Sequence, residues 1–337
     1  MILETPRLIL RKLHSEDFDS LYAVLGDSAI MEHYPNSFDK ERVRSWIRRN
    51  QERYETDGFG LWAVVRKDTG DMIGDCGITM QNIHGTLLPE IGYHIRADQQ
   101  RQGFASEAAA ACVQYAFDVC HFPAVYSYMK YTNIPSQKTA MKIGMRFLEE
   151  YADPDNTFTR VFCIRKSDML KIGTMVKESF SVIGKEGSTL DGDGFIQRLW
   201  EDANAHFCDV AHLAKKDPQG NLMGIWGAMS DFSRSFLPWE DGFTKGLYLA
   251  GVECDDCAEP PEGWVKWVIP GYEYLRVECD HDGVFQEMIA YLQERNIPLV
   301  GAVHDFTCPT SGKSDMCFPI RKISADSVGG TEVIQNG

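Results

Sequence analysis

The sequence predicts an α/β (α+β) protein of two domains, a mixed sheet with flanking helices followed by a duplicated β-α-β-β arrangement. Three observations carry that expectation. Strand-like and helix-like segments alternate through the first half. From about residue 175 the order strand, helix, strand, strand occurs twice. The 337 residues are also more than a single hydrophobic core ordinarily organises. The expected boundaries are 1–168 and 175–323, with 324–337 a tail that lacks apolar periodicity and is expected to be disordered.

In chain order, RLILRKL (7–13) alternates as a strand, and Ser15 stands where a cap would open the helix through EDFDSLYAVLGD. A second helix is expected over about 38–56, with Val43, Trp46, Ile47 and Tyr54 as its apolar stripe. Two strands, LWAVVRKD and MIGDCGITM, are joined by the turn Thr69-Gly70-Asp71. The strand PEIGYHIR then leads through a loop into a helix from about Ala105 to Cys120. Strand VYSYMKYT, helix 134–143 and the hairpin MRFLEEY…TFTRVFCIRK complete the first domain. A bridge near Met169–Thr174 shows no clear element. Beyond it, VKESFSVIGKEG reads as a strand and Phe195 to about Leu213 as a helix. LMGIWGAMS, GLYLAGVEC and WVKWVIPGYEYLRVEC read as strands, 283–296 as a helix, and CFPIRKI as the closing strand.

Composition narrows the function. Apolar residues make up 44% and charged residues 25%, the balance of a soluble protein. No apolar run is long enough for a membrane span, and the N-terminal stretch carries charges inside its apolar segment, unlike a secretion signal. A cytoplasmic protein without membrane partners is expected. The net charge of −15 is uneven: residues 1–168 hold 20 basic against 23 acidic residues, and the rest 14 against 26. That acidity argues against a nucleic-acid partner and is compatible with a cationic ligand or simply with a soluble surface. The 10 cysteines are scattered, many within apolar segments, as befits small buried hydrophobes. Cys254 and Cys257 have CxxC spacing, but no second close pair accompanies them, and no metal centre is expected.

The sharpest motif is Gln100-Arg101-Gln102-Gly103-Phe104-Ala105, between a strand and an alanine-rich helix. A glycine there permits close backbone approach, and successive N–H groups at a helix start favour a pyrophosphate. Arg101 would add a charged contact. Read alone, the same loop is equally a polar strand-to-helix connection.

In company with EIGYHI before it and NIPSQKTAMKIGM after it, the loop resembles the coenzyme A loop of the GNAT superfamily of acetyltransferases. The resemblance covers 1–168. The opening ETPRLILRKL and the spacing of Asn133, Ser136, Lys142 and Gly144 are similar to the branch of ribosomal-protein alanine acetyltransferases. It implies acetyl-CoA as cosubstrate and an amine acceptor, whether a small molecule or a peptide N-terminus. It implies cofactor contacts from Gln100, Arg101, Gln102, Gly103, Phe104 and Ala105, and from Asn133 on the pantetheine arm. Backbone groups of Ile95 and Arg96 would extend the sheet by one pseudo-strand. Glu90 stands where the superfamily often carries its base; its alternatives are an acceptor-binding or merely exposed carboxylate. The tyrosine that many members carry seven residues after the asparagine is replaced by Ala140. Ser136, the related branch's hydroxyl, then either donates to the leaving thiolate or caps helix 134–143.

Residues 175–323 resemble the GyrI-like effector-binding domain through FSVIGKEG, IQRLW, LYLAGVEC, WVIPGYEYLRVE and MCFPI. That resemblance implies an amphipathic, often cationic ligand held between two similar halves, with Trp200, Trp226, Tyr248, Trp267 and Tyr274 as candidate walls and Glu253 and Asp315 as candidate acids. Each aromatic is equally a plain core residue. The leading expectation is an N-acetyltransferase with an appended ligand-binding domain. The alternatives are a ligand sensor without catalysis and a hydrolase activity in the second domain.

Overall fold

The computed structural model describes residues 2–323, so the expected disorder of 324–337 lies outside the described residues. The chain divides into two compact units, one over Met1–Asp168 and a second beginning at Met169.

The first unit runs β1 (Leu3–Glu4), β2 (Leu8–Arg11), α1 (Phe18–Leu25), α2 (Lys40–Thr56), β3 (Leu61–Arg66), β4 (Met72–Ile83), β5 (Thr86–Ile95), α3 (Phe104–Asp118), β6 (Ala124–Lys130), α4 (Ile134–Lys142), β7 (Arg146–Asp153) and β8 (Thr157–Arg165). Its eight strands form one sheet in the order β1-β2-β3-β4-β5-β6-β8-β7. Every pairing is antiparallel except β5 with β6, which run parallel and meet at the single position Glu90–Tyr126. Beyond that point the two central strands part. Helix α3 packs on one face of the sheet through Ala108, Ala109, Cys112 and Ala116, all fully buried, because short side chains let the helix settle closely. Helices α1 and α2 form a second cluster around Leu21, Val24, Val43 and Ile47. Asp39 caps α2 by accepting the Arg42 amide at 2.8 Å. Ser15 does not cap α1: His14 precedes a 3₁₀ turn over Ser15–Asp17, and Asp17 takes the His14 amide at 2.8 Å.

The second unit runs β9 (Ile172–Lys177), β10 (Phe180–Ser188), α5 (Phe195–Ala205), β11 (Ile225–Ser230), the single turn α6 (Glu240–Phe243), β12 (Leu247–Cys254), β13 (Val265–Ile269), β14 (Tyr272–Glu278), α7 (Val284–Glu294), β15 (His304–Thr307) and β16 (Ser314–Lys322). The strands form one antiparallel sheet ordered β13-β10-β12-β11-β15-β16-β14-β9. The bridge near 169–174 therefore contributes a strand, β9, which pairs with β14. The long segment 264–279 is two strands, broken at Pro270-Gly271, where proline has no amide to donate. Helix α5 ends at Ala205 rather than near 213, and the chain goes on through a 3₁₀ turn over Phe207–Asp209.

Candidate active site

The loop after β5 is fixed from a distance. Gly103 is the N-cap of α3 with φ +86°, in the left-handed region that favours glycine, and no side chain caps the helix. Arg7, at the start of β2, clamps the loop: its Nη1 donates to the Gln102 carbonyl at 3.0 Å and its Nε to Glu107 of α3 at 2.6 Å. The Thr5 hydroxyl donates to the other Glu107 oxygen at 2.7 Å. A Cβ on Gly103 would stand 3.3 Å from the Arg7 guanidinium and 3.8 Å from the Lys142 ammonium. Two cations, Lys142 and the Glu107-paired Arg7, and an uncapped helix start thus border an open cavity of about 330 Å³ that Arg7, Gln102, Gly103, Glu107, Lys142 and Ile143 help to line. Those residues fit the diphosphate of a coenzyme A. Arg7 and Glu107 carry no local signal as binding residues, since they meet about a hundred positions apart.

The expected cofactor residues distribute unevenly. Arg101 is exposed, with φ +62°. Gln100 donates its side-chain amide to the Ile95 carbonyl at 2.9 Å, and Gln102 donates to the Asp98 carbonyl at 3.2 Å. Phe104 offers only its backbone, because its ring is buried in the core, 4.4 Å beneath the Arg7 guanidinium. Ala105 is partly buried against the same core. Arg96 turns away: its amide donates to the Ile73 carbonyl across β4 at 2.8 Å and its guanidinium pairs with Asp98. The Ile91 carbonyl accepts the Ser127 hydroxyl from β6 at 3.2 Å, so alternation along β5 sets the backbone of Tyr93 and Ile95 on the opening between the strands. A pseudo-strand would therefore pair with Tyr93 and with the Ile95 amide, not with Arg96.

On the α3 face of that opening, the Tyr93 hydroxyl lies 3.0 Å from Ser136 Oγ and 2.9 Å from the Ser136 carbonyl. Burial pushes the phenol up to about 12. Asn133 caps α4 by accepting the Ser136 amide at 3.1 Å, which leaves the Ser136 hydroxyl free of capping and occupies the Asn133 oxygen. Ala140 is fully buried, in a position with no room for a tyrosine ring.

On the opposite face, Glu90 accepts the Thr79 hydroxyl at 2.9 Å. Burial raises its carboxyl to about 7, against the opposing pull of Thr79, His94 and Arg53. His94, two positions beyond Gly92 on the same face, has Nδ1 2.7 Å from Asp75 and Nε2 2.8 Å from the Tyr34 hydroxyl. Asp75, fully buried, also accepts the Trp46 indole N–H at 2.8 Å. Burial lowers the imidazole and Asp75 more than reverses this, so its pKa lies above the ordinary histidine value.

In the second unit the seven expected pocket residues divide between the two faces of the sheet. Trp226, Trp267 and Tyr274 share one apolar cluster, whereas Trp200 and Tyr248 belong to another, with α5. Trp200 donates to the Tyr248 hydroxyl at 3.1 Å, which donates to Asp305 at 3.0 Å. Trp200 and Tyr248 thus cannot wall a cavity with the other three, because residues 248 and 249 of β12 point to opposite faces. Glu253 is neutralised by Lys177 at 3.0 Å and Asp315 by Arg276 at 3.0 Å. Glu186, which the sequence did not single out, also meets the Trp226 cluster: it accepts the Trp267 indole N–H at 2.7 Å and is paired with Arg234 at 2.5 Å. The indole of Trp226, the hydroxyl of Tyr274 and Nε2 of His304 are buried without a hydrogen-bond partner.

Known proteins resemble the first half of the chain. The acetyltransferase (GNAT) domain family matches residues 7–146. The uncharacterized protein YkkB of Bacillus subtilis (strain 168) is 34% identical over 146 residues, covering 43% of this chain and 85% of that protein. The uncharacterized N-acetyltransferase YnaD of the same organism is 29% identical over 147 residues, 43% of this chain and 83% of that protein. A crystal structure of a GNAT-family acetyltransferase from Bacillus anthracis aligns with 49% of this chain and 98% of its own, at 23% identity and a TM-score of 0.44. Among the described residues no helix is long and apolar enough to cross a membrane.

Proposed function

The chain belongs through its first half to the GNAT acetyltransferase family, and from that premise we propose that residues 1–168 move the acetyl group of acetyl-CoA to an amine, with Glu90 as base. One observation carries the reading: a carboxyl with a pKa of about 7 and a hydroxyl pair stand on opposite faces of the sheet where β5 and β6 part. Glu90 takes the proton that an ammonium must lose before its nitrogen can form the new N–C bond. As the C–S bond breaks, Ser136, hydrogen-bonded to Tyr93, donates to the departing thiolate. Tyr93 thereby supplies the phenol that the buried Ala140 cannot. Arg7, Lys142 and the start of α3 hold the diphosphate, which leaves the thioester to be oriented by the free backbone of β5.

A peptide N-terminus is the acceptor if the likeness to ribosomal-protein acetyltransferases is the better guide; a small amine is the acceptor otherwise. We assign the second unit to the GyrI-like ligand-binding modules. Its order of strands supports this, since β10-α5-β11-β12 and β14-α7-β15-β16 repeat one pattern within one sheet. The ligand face is the one bearing Trp226, Trp267, Tyr274 and Glu186. Coenzyme A release over a panel of amines, aminoglycosides and peptides tests the enzyme. Acetyl-CoA binding without any turnover would leave a sensor in place of a transferase. Thermal shifts with aromatic cations test the second unit separately.

A further inference from the structure

Between Glu90 and His94 on β5, the same face carries only Gly92. Glu90 leans over that glycine: a Cβ built there would stand 3.2 Å from its Oε2. At the other end of this floor is Tyr34, from the segment between α1 and α2. Its hydroxyl is bound inward to His94 Nε2 at 2.8 Å and is desolvated there, while the residue as a whole remains 41% exposed. The chain behind it is unusually complete. A carboxylate only accepts and an indole only donates, so Asp75 receives the Trp46 N–H at 2.8 Å and the His94 Nδ1–H at 2.7 Å. Above its raised pKa the ring is neutral, has its lone pair on Nε2 and accepts the Tyr34 proton; below it the imidazolium donates Nε2–H to the phenol instead. In the neutral form the only proton of the phenol is spent inward, which leaves the lone pairs of its oxygen for a donor arriving from solvent.

We infer that Tyr34 is the acceptor-binding hydroxyl: it takes one N–H of a primary ammonium lodged over Gly92, opposite Glu90, and His94, Asp75 and Trp46 are the positioning residues that fix its lone pairs outward. The inference rests on the transferase reading and names the side chain that orients the amine. A primary ammonium has protons for both Tyr34 and Glu90 and one more for solvent, while a tertiary amine has one in all. Tyr34 touches the acceptor alone, since acetyl-CoA is held from the loop after β5 and the opposite face.

The test is steady-state kinetics on the full chain, with a primary amine found by coenzyme A release, and acetyl-CoA affinity measured in parallel. Tyr34→Phe keeps the ring and should raise the KM for the amine roughly tenfold, the worth of one hydrogen bond to a charged group. Its kcat should stay within about twofold of the wild type and acetyl-CoA affinity should not move. His94→Asn, which can still face Asp75 but cannot reach Tyr34, should raise the amine KM similarly, and Tyr34→Phe/His94→Asn should add little to either change. An amine KM unchanged in Tyr34→Phe overturns the inference, as does a double variant whose effects multiply. Should His94→Asn fail to fold, Tyr34→Phe decides alone. A wild type that turns over no amine removes the transferase reading, and this inference with it; a wild type that turns over normally beside an unaltered Tyr34→Phe removes only the inference.

Discussion

Tyr93 Oη and Ser136 Oγ lie 3.0 Å apart where β5 separates from β6, joining two hydroxyls that are 43 positions apart in the chain. A serine hydroxyl alone is a weak proton source, but once the Tyr93 proton turns from the Ser136 carbonyl to Oγ, the serine can donate outward while receiving from behind. Tyr93→Phe should therefore lower kcat by roughly a hundredfold to a thousandfold, the range seen when one stabilising donor is lost, with acetyl-CoA affinity preserved. Ser136→Ala should do the same, and the double variant should resemble the worse single one. Full additivity in presteady-state acetyl transfer would mean the two hydroxyls do not act together.

Glu90 sets the acid limb of the pH profile. Its carboxyl titrates at about 7 because burial disfavours the charged form, so log kcat/KM should climb with pH and level off above that value. Thr79 opposes the shift by hydrogen-bonding the carboxylate, so Thr79→Val should move the limb to higher pH. Glu90→Gln should cost a hundredfold or more, on the order of a general base, and flatten the limb. The same substitution should stabilise the fold at alkaline pH. The folded pKa exceeds the ordinary 4.5, so the native state holds the proton more tightly and loses stability as pH rises from about 4.5 through 7. A profile whose limb survives in Glu90→Gln would assign the base elsewhere.

How much of this was legible depends on whether the information is contiguous. The loop Gln100–Ala105 and the strand with Glu90 lie within one short stretch, and their motif could be read directly. The clamp by Arg7 could not, because it joins β2 to α3 across the sheet and each residue alone looks like an ordinary surface charge. Asp75 and His94 are cross-strand partners in the β4–β5 register, and only that register makes them neighbours. In the second unit β15 went unread, since His304–Thr307 is four residues long and mixes charge with aromatics. Tyr248 joined the wrong group of aromatics because a one-residue step along a strand changes the face.

Gly103 and Arg7 should control affinity for acetyl-CoA without touching the chemistry. Gly103→Ala forces a side chain into the left-handed region at φ +86°, at a cost on the order of 1–3 kcal/mol, and brings a methyl to 3.3 Å from the Arg7 guanidinium. Arg7→Ala removes both the cation and the clamp on the Gln102 carbonyl. Both should raise the KM for acetyl-CoA roughly tenfold or more while kcat at saturation changes little. Calorimetric titration with coenzyme A checks it, and equal affinity in Arg7→Ala would move the diphosphate out of this cavity.

Asp305 offers a test of the second unit that needs no ligand. It accepts the Tyr248 hydroxyl at 3.0 Å beneath α5, and burial holds its carboxyl at about 6, well above the ordinary 3.8. The folded state therefore binds this proton more tightly than the unfolded chain. Stability from Asp305 is complete below about pH 3.8 and is lost as pH rises through about 6. Asp305→Asn removes the titration while its amide oxygen can still accept from Tyr248. Relative to the wild type, the variant should gain melting temperature steadily between pH 4 and pH 6.5 and then hold a constant advantage. Other carboxylates titrate in the same interval, so the informative quantity is the difference between the two proteins at each pH. A difference that stays flat across that interval would show that Asp305 keeps an ordinary carboxylate pKa and that the Tyr248 bond, rather than burial, governs it.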